Sequence, residues 1–333
     1  MSGASAAWRS RGSSALRRRL VAAIGAAIAP WPLAATAQQP KARRIAFIHY
    51  GVPVAEQTET SRTLWIATFF KELRRIGLVE GSNLAVARYS AEGSAERYGA
   101  LVNEIIASKP ELIVGNSPER LKASTATIPI VAIMGDPLAS GLVASLSRPG
   151  GNLTGVSIDG GPGLIARRLQ LLKQAVPAAT RIVGLVGSAA EGARTKGAFT
   201  PRLLTEVNEA SLGRAFAEMA HEKVDAVVLA EQGSFLARRG LIVELAAKHR
   251  LPAIYPYRDY VQAGGFISYG PDLSELARRM AGQVQQILGG ARPGDLAVQQ
   301  PTKFETAINL KTAKALGLTV PPMLLAQADE VIE

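Results

Sequence analysis

The chain of 333 residues contains no cysteine at all. Disulfides, thiolate metal sites and cysteine nucleophiles are therefore excluded, and so is a lipid-modified N-terminal cysteine. Histidine is nearly as scarce, with only His49, His221 and His249. The last two sit in charged helical stretches, so they read as solvated helix-end residues and leave no basis for a histidine zinc site. Aromatic residues make up 5% of the chain. The sequence has no G-x-x-x-x-G-K-[ST], no G-x-S-x-G and no H-E-x-x-H. No metal, no cofactor and no catalytic residue is expected.

The N-terminus is informative. Arg9, Arg11, Arg17, Arg18 and Arg19 carry positive charge with no acid among them; an apolar run follows from Leu20 to Ala29, and the segment closes on Ala35-Thr36-Ala37. A basic region, an apolar region and an A-x-A end form a secretory signal. Pro30 and Pro32 argue against the alternative, a retained spanning helix. Residues 1–37 are thus expected to be a leader, cleaved after Ala37 and exported by the general or the twin-arginine route. The expected location is the periplasm, with no membrane span in the mature chain. Its removal would leave 296 residues and lower the net charge from +11 to +6. That charge is spread through the chain without interleaved aromatics, so no nucleic-acid surface is expected.

From Arg43 onward, short β-branched runs alternate with amphipathic stretches. Strands are expected at Ile45–Ile48, 84–89, 112–114, 130–133 and 153–158, with helices at 60–76 and 95–108 between them. After a glycine- and proline-rich break at 160–163 the alternation restarts. Strands follow at 182–186, 224–229, 253–254, 265–269 and 304–309, and helices at 167–175, 212–220, 236–249, 276–288 and 310–316. This order predicts an α/β fold of two doubly wound parallel-sheet lobes. Ligands sit beyond the carboxyl ends of such strands, so the cleft between lobes is the natural site and hinge closure the expected motion.

Gly161-Pro162-Gly163-Leu164-Ile165-Ala166 fits a dinucleotide fingerprint, but the acid that should follow about 20 residues on is missing and Pro162 lacks an N–H. A hinge reading is preferred. The strand ends carry more chemistry. Ile48 precedes His49-Tyr50-Gly51, Val114 precedes Gly115-Asn116-Ser117-Pro118, and Met134 precedes Gly135-Asp136-Pro137. Asp136 could hold a ligand ammonium or cap the following turn. The Tyr255-Pro256-Tyr257-Arg258-Asp259-Tyr260 cluster suits a ring-bearing ligand, with at least one tyrosine in the core. The arginine pairs at 167/168, 238/239 and 278/279 read as solvated helix faces.

Several longer stretches carry a resemblance. They include Phe70–Asn83, the run Gly135-Asp136-Pro137-Leu138-Ala139-Ser140-Gly141 continuing to Gly155, Lys248–Tyr255, Ala263–Pro271, Gln300–Phe304 and Ile308–Gly317. Together they resemble the ABC-transporter substrate-binding family of the tryptophan/tyrosine type. That resemblance implies a type I periplasmic-binding fold with chain crossings near 157, 269 and 302. Lobe 1 would be 43–157 plus 270–300, and lobe 2 would be 158–269 plus 301–333. It also implies a monomer that captures a small-molecule solute, such as an aromatic amino acid, and delivers it to a membrane permease. Expected ligand contacts are Tyr50, Asn116, Ser117, Gly135, Asp136, Ser188, Glu231, Tyr257 and Tyr269. The segment after Val186 is shorter than the family's, with Thr200-Pro201 ending a short helix. A periplasmic sensor, and an enzyme using Asp136 or Glu231 as acid or base, are the rival readings.

Overall fold

The computed structural model describes residues 42–161, 163–187, 192 and 197–333. Two sheets organise them. The first takes β1 (Arg43–His49), β2 (Leu84–Ser90), β3 (Leu112–Asn116), β4 (Ile130–Met134) and β5 (Leu153–Ser157) in the order β2-β1-β3-β4-β5, every pair parallel. Its central strands β3 and β4 are buried almost end to end, as strands covered on both faces must be. Helices α1 (Leu64–Arg75), α2 (Ala95–Ser108) and α3 (Pro118–Ser124) connect them. Helix α1 buries Trp65, Ile66, Phe69, Phe70 and Leu73 on one face. It ends in a left-handed Gly77, φ +89°, with Leu78 N–H returning to Leu73 O at 2.8 Å. This is the glycine stop legible in the sequence.

After β5 the chain leaves for the second lobe. There it forms α4 (Gly163–Ala175), β6 (Ile182–Val186), β7 (Thr200–Leu203), α5 (Glu209–His221), β8 (Ala226–Leu229), α6 (Gly233–Ala237), α7 (Arg239–Lys248), β9 (Ala253–Tyr255), α8 (Arg258–Gln262) and β10 (Ile267–Pro271). Helix α9 (Leu273–Leu288) then packs back on α1 and the first sheet, and residues 294–299 run beside β5. The chain returns as β11 (Phe304–Asn309), α10 (Leu310–Ala315), α11 (Pro322–Leu325) and β12 (Glu330–Ile332). The second sheet has the order β12-β11-β10-β9-β8-β6-β7. Among the described strands only β10 and β11 pair antiparallel, Pro271 opposite Phe304. The chain re-enters from the first lobe at the end where β10 left, so β11 must run back along it.

Three segments thus pass between the lobes, after β5, after β10 and before β11. Thr200-Pro201 opens β7, an edge strand beside β6, while most of the short helix read before it lies outside the described residues. Pro201 is compatible with that place because an edge strand has one unpaired side. The helix read from residue 60 starts at Leu64, whose N–H is taken at 3.1 Å by the Asp259 carboxylate of the second lobe. Among the described residues, no helix is long and apolar enough to cross a membrane.

Gly155 has φ +143°, and a Cβ there would lie 1.9 Å from Ala132 O. Gly282, inside α9, has nothing within 4 Å of such a carbon. Urea denaturation should therefore show Gly155→Ala losing at least about 3 kcal/mol or failing to fold. Gly282→Ala should gain up to about 1 kcal/mol. A neutral Gly155→Ala would contradict the packing of β4 on β5.

Candidate functional site

In an order of the 2-1-3 type, the gap lies between the first strand and the third, where connections depart to opposite faces. Each sheet has one such point, at β1/β3 and at β6/β8, and both open on a single cleft of about 790 Å3.

At the first, the β1 end supplies His49 and Tyr50 and the β3 end supplies Asn116 and Ser117. Asn116 Oδ1 accepts the Tyr50 N–H at 2.9 Å, tying the two ends together. The Tyr98 hydroxyl on α2 lies 2.7 Å from Asn116 O and 3.0 Å from Ser117 O. Ser117 is left-handed, with φ +56°, an uncommon state for a residue with a side chain. His49 is 1% exposed, and its Nδ1 accepts the N–H groups of Gly51 at 3.0 Å and Val52 at 2.8 Å. Burial away from any acid pushes its pKa down to about 3, so the ring is neutral.

At the second, Gly187 follows β6 and Glu231, Gln232, Gly233 and Ser234 follow β8, all at the cleft. Glu231 Oε1 meets Arg168 Nη1 at 2.6 Å. Arg168 is fully buried and its Nε donates to Tyr269 O at 2.7 Å, so one guanidinium braces the ends of β8 and β10. This corrects the solvated reading of that arginine. Its spacing with Leu164, Leu171, Leu172 and Ala175 puts it on the buried face of α4. Arg238 keeps its solvent exposure but lines the cleft, and Arg239 reaches across to Arg62 O at 3.0 Å and Thr63 Oγ1 at 3.3 Å.

The structure gathers Tyr50, Asn116, Ser117, Gly135, Glu231 and Tyr257 around this cleft. Asp136 lies outside its lining; its Oδ1 accepts from Leu138 N–H at 3.1 Å and Ala139 N–H at 2.9 Å, the turn-capping alternative. Tyr269 is also outside, stacked on Phe304 at 6.0 Å with Arg167 over its ring. Ser188 falls outside the described residues. Within the tyrosine cluster, Tyr255 and Tyr260 stack in the core at 5.0 Å. The sequence reading passed over Trp65, which lines the cleft beside His49 with ring centroids 5.8 Å apart. Among the described residues of the lining, Glu92, Glu119, Glu206 and Glu231 face one arginine, Arg238. Glu92 is offset by Arg97 at 2.8 Å. Among these described residues the balance is acidic, which is electrostatically complementary to a cationic group. Among the described residues, no cluster of three or more His, Asp or Glu is placed to hold a metal ion.

The lobes touch beside the cleft. A Cβ on Gly51 would fall 2.6 Å from Ala237 Cβ, and one on Gly233 would fall 2.8 Å from Asn116 Nδ2. Two α/β lobes meeting at paired switch points around a polar cleft define a protein that clasps a small ligand. The family model described as "ABC transporter substrate binding protein" matches residues 58–332, and the chain belongs to that family. It is a substrate-binding protein of an ABC transporter, and membership implies a small-molecule ligand and a permease partner. A curated relative, the "Tyrosine-binding protein" of Clostridioides difficile (strain R20291), is 24% identical over 268 residues, 75% of each chain. Among solved structures, an ABC domain in complex with L-Trp from Streptococcus pneumonia superposes with a TM-score of 0.76 at 22% identity, covering 88% of this chain and 100% of that one. A conserved domain protein from Vibrio cholerae gives 0.76 at 24% identity, covering 87% and 100%.

Two outcomes follow from this geometry. The His49 pKa is depressed in the folded protein, so its contribution to stability is present above about pH 6.5 and is lost as pH falls towards 3. Between pH 6.5 and 4.5 this group alone should remove on the order of 2–3 kcal/mol. His49→Gln should flatten that part of the urea-denaturation profile, and an unchanged slope would contradict the buried neutral ring. Gly51→Ala should prop the lobes apart and raise the radius of gyration in small-angle scattering. Adding Ala237→Gly should restore it, since the clash is between two methyl carbons. Equal scattering from all three proteins would rule out that contact.

Proposed function

We propose that this protein is the solute receptor of an importer, working in the periplasm after loss of residues 1–37, and that its solute is an aromatic amino acid. Lobe 1 is assigned to 43–157 plus 270–300 and lobe 2 to 158–269 plus 301–333. The observation that carries the reading is the meeting of both switch points on one cleft. Its volume is in the range of small-molecule sites. The chemistry of the walls supports it. Tyr50, Trp65 and Tyr257 give flat apolar area for a ring, and the acidic balance suits an ammonium group. Glu231, braced by Arg168, is the carboxylate assigned to that ammonium. Asn116 and Ser117 supply polar contacts from the facing lobe. The printed ligands of the relatives, tyrosine and L-Trp, point the same way. The protein performs no chemistry on its solute; closure traps it, and the closed form is what the permease recognises.

Thermal denaturation of the mature protein with a panel of amino acids, nucleosides and small carboxylates tests this. A solute at 100 times its Kd stabilises by about 2.7 kcal/mol, roughly 4 °C in Tm for a chain of this size. Tyrosine or tryptophan should produce that rise and Glu231→Gln should reduce it. A panel with no effect, or a response confined to nucleosides, would refute the assignment.

A further inference from the structure

Two buried donors converge on the cleft without a protein acceptor between them. The neutral His49 ring carries one proton. Its Nδ1 accepts two backbone N–H groups, so that proton resides on Nε2. Nε2 lies 3.5 Å from Asn116 Nδ2. The Asn116 amide cannot be reversed to offer its oxygen instead, because Oδ1 already accepts the Tyr50 N–H at 2.9 Å. Nε2–H and Nδ2–H are thus two donors facing each other. The side chains are 1% and 8% exposed, and both line the cleft. Among the described residues, no oxygen accepts from either group. Buried donors left in this state are costly, and a pair aimed at one point calls for an acceptor supplied from the cleft.

We propose that His49 Nε2–H and Asn116 Nδ2–H together take one oxygen of the solute's carboxylate. This deepens the amino-acid reading and rests on it. The donors belong to the first lobe, and Glu231 to the second. A zwitterion held by its carboxylate at one end and its ammonium at the other spans the cleft, so neither lobe alone completes the site. Trp65 packs beside the imidazole and keeps its plane fixed. The ring stays neutral, which makes His49 a donor of constant charge.

Calorimetric titration of L-tyrosine and L-tryptophan against tyramine and tryptamine, which lack only the carboxylate, isolates the contact. Wild type should prefer each amino acid over its amine by at least about tenfold, the value of one charge-assisted hydrogen bond. Asn116→Asp keeps the shape and the Tyr50 acceptor but removes the donor, and should erase roughly 10- to 100-fold of that preference while the amines bind as well or better. Melting curves report whether the variant is folded. Nitrogen-15 shifts of the wild-type imidazole should show the Nε2–H form. A preference unchanged in Asn116→Asp, or a proton found on Nδ1, overturns the inference while leaving solute binding intact. Failure of wild type to bind either amino acid overturns both the inference and the reading beneath it.

Discussion

The arrangement depends on there being no clearance between the lobes at two places beside the cleft. Gly51 lies against Ala237, and Gly233 against the Asn116 amide, too close for even one added carbon. Neither glycine is there for an unusual φ; each permits approach. Because the lobes can come this near, the strand ends of both sheets bound the same space. A gap wider by a single methyl would move Glu231 away from His49 and Asn116. Packed interiors do not yield smoothly to such an intrusion, so the small residue is a geometric requirement of the site.

Much of the fold was legible because its cues are local. Strand and helix alternation, the stop at Gly77 and the polar residues after β1, β3 and β4 each need only a short window of sequence. Strands β6 and β11 have the bounds read from the sequence. What was not legible depends on partners far away in the chain. The start of α1 at Leu64 is set by a carboxylate 195 residues on. Strand β7 exists because the edge of β6 is available to it, not because Thr200-Pro201 looks like a strand. Arg168 is the instructive intermediate case. Its helical spacing with Leu164 and Leu171 marked it as inward-facing, but charge outweighed periodicity in the reading. Asp136 follows the end of β4 and Tyr269 was read as the end of its strand, yet Asp136 caps a turn and Tyr269 lies within β10, stacked on Phe304.

The two switch points differ electrically, and the difference originates in burial. At the end of the first sheet the groups are neutral: a histidine held uncharged, an amide and a left-handed serine. On the second lobe a full guanidinium lies beneath a partly exposed carboxylate. Burying Arg168 alone would be prohibitive; Glu231 and the Tyr269 carbonyl offset its desolvation. The pair carries no net charge, but the negative end faces the cleft and the positive end is sunk in the protein. On the proposed reading, such a fixed dipole favours a cation without requiring the cleft floor to hold an uncompensated charge.

On the proposed reading, the polar contacts between lobes leave closure to the solute. Asp259 is buried, and burial raises its pKa, while the Leu64 N–H and Arg239 work in the opposite direction. Both compensations come from the closed arrangement: Leu64 belongs to the other lobe, and Arg239 is held there by Arg62 and Thr63. Separating the lobes would break these bonds but would also return the carboxylate to water. Loss and gain are of similar kind and opposite sign, as for buried ion pairs in general. A latch of this type fixes the geometry of the closed state while contributing little to its free energy. The remaining bias must then come from whatever bridges the cleft, and a bridging ligand shifts the equilibrium only by its differential affinity for the two states. Groups that touch both lobes at once therefore weigh more than equal contacts made to one lobe.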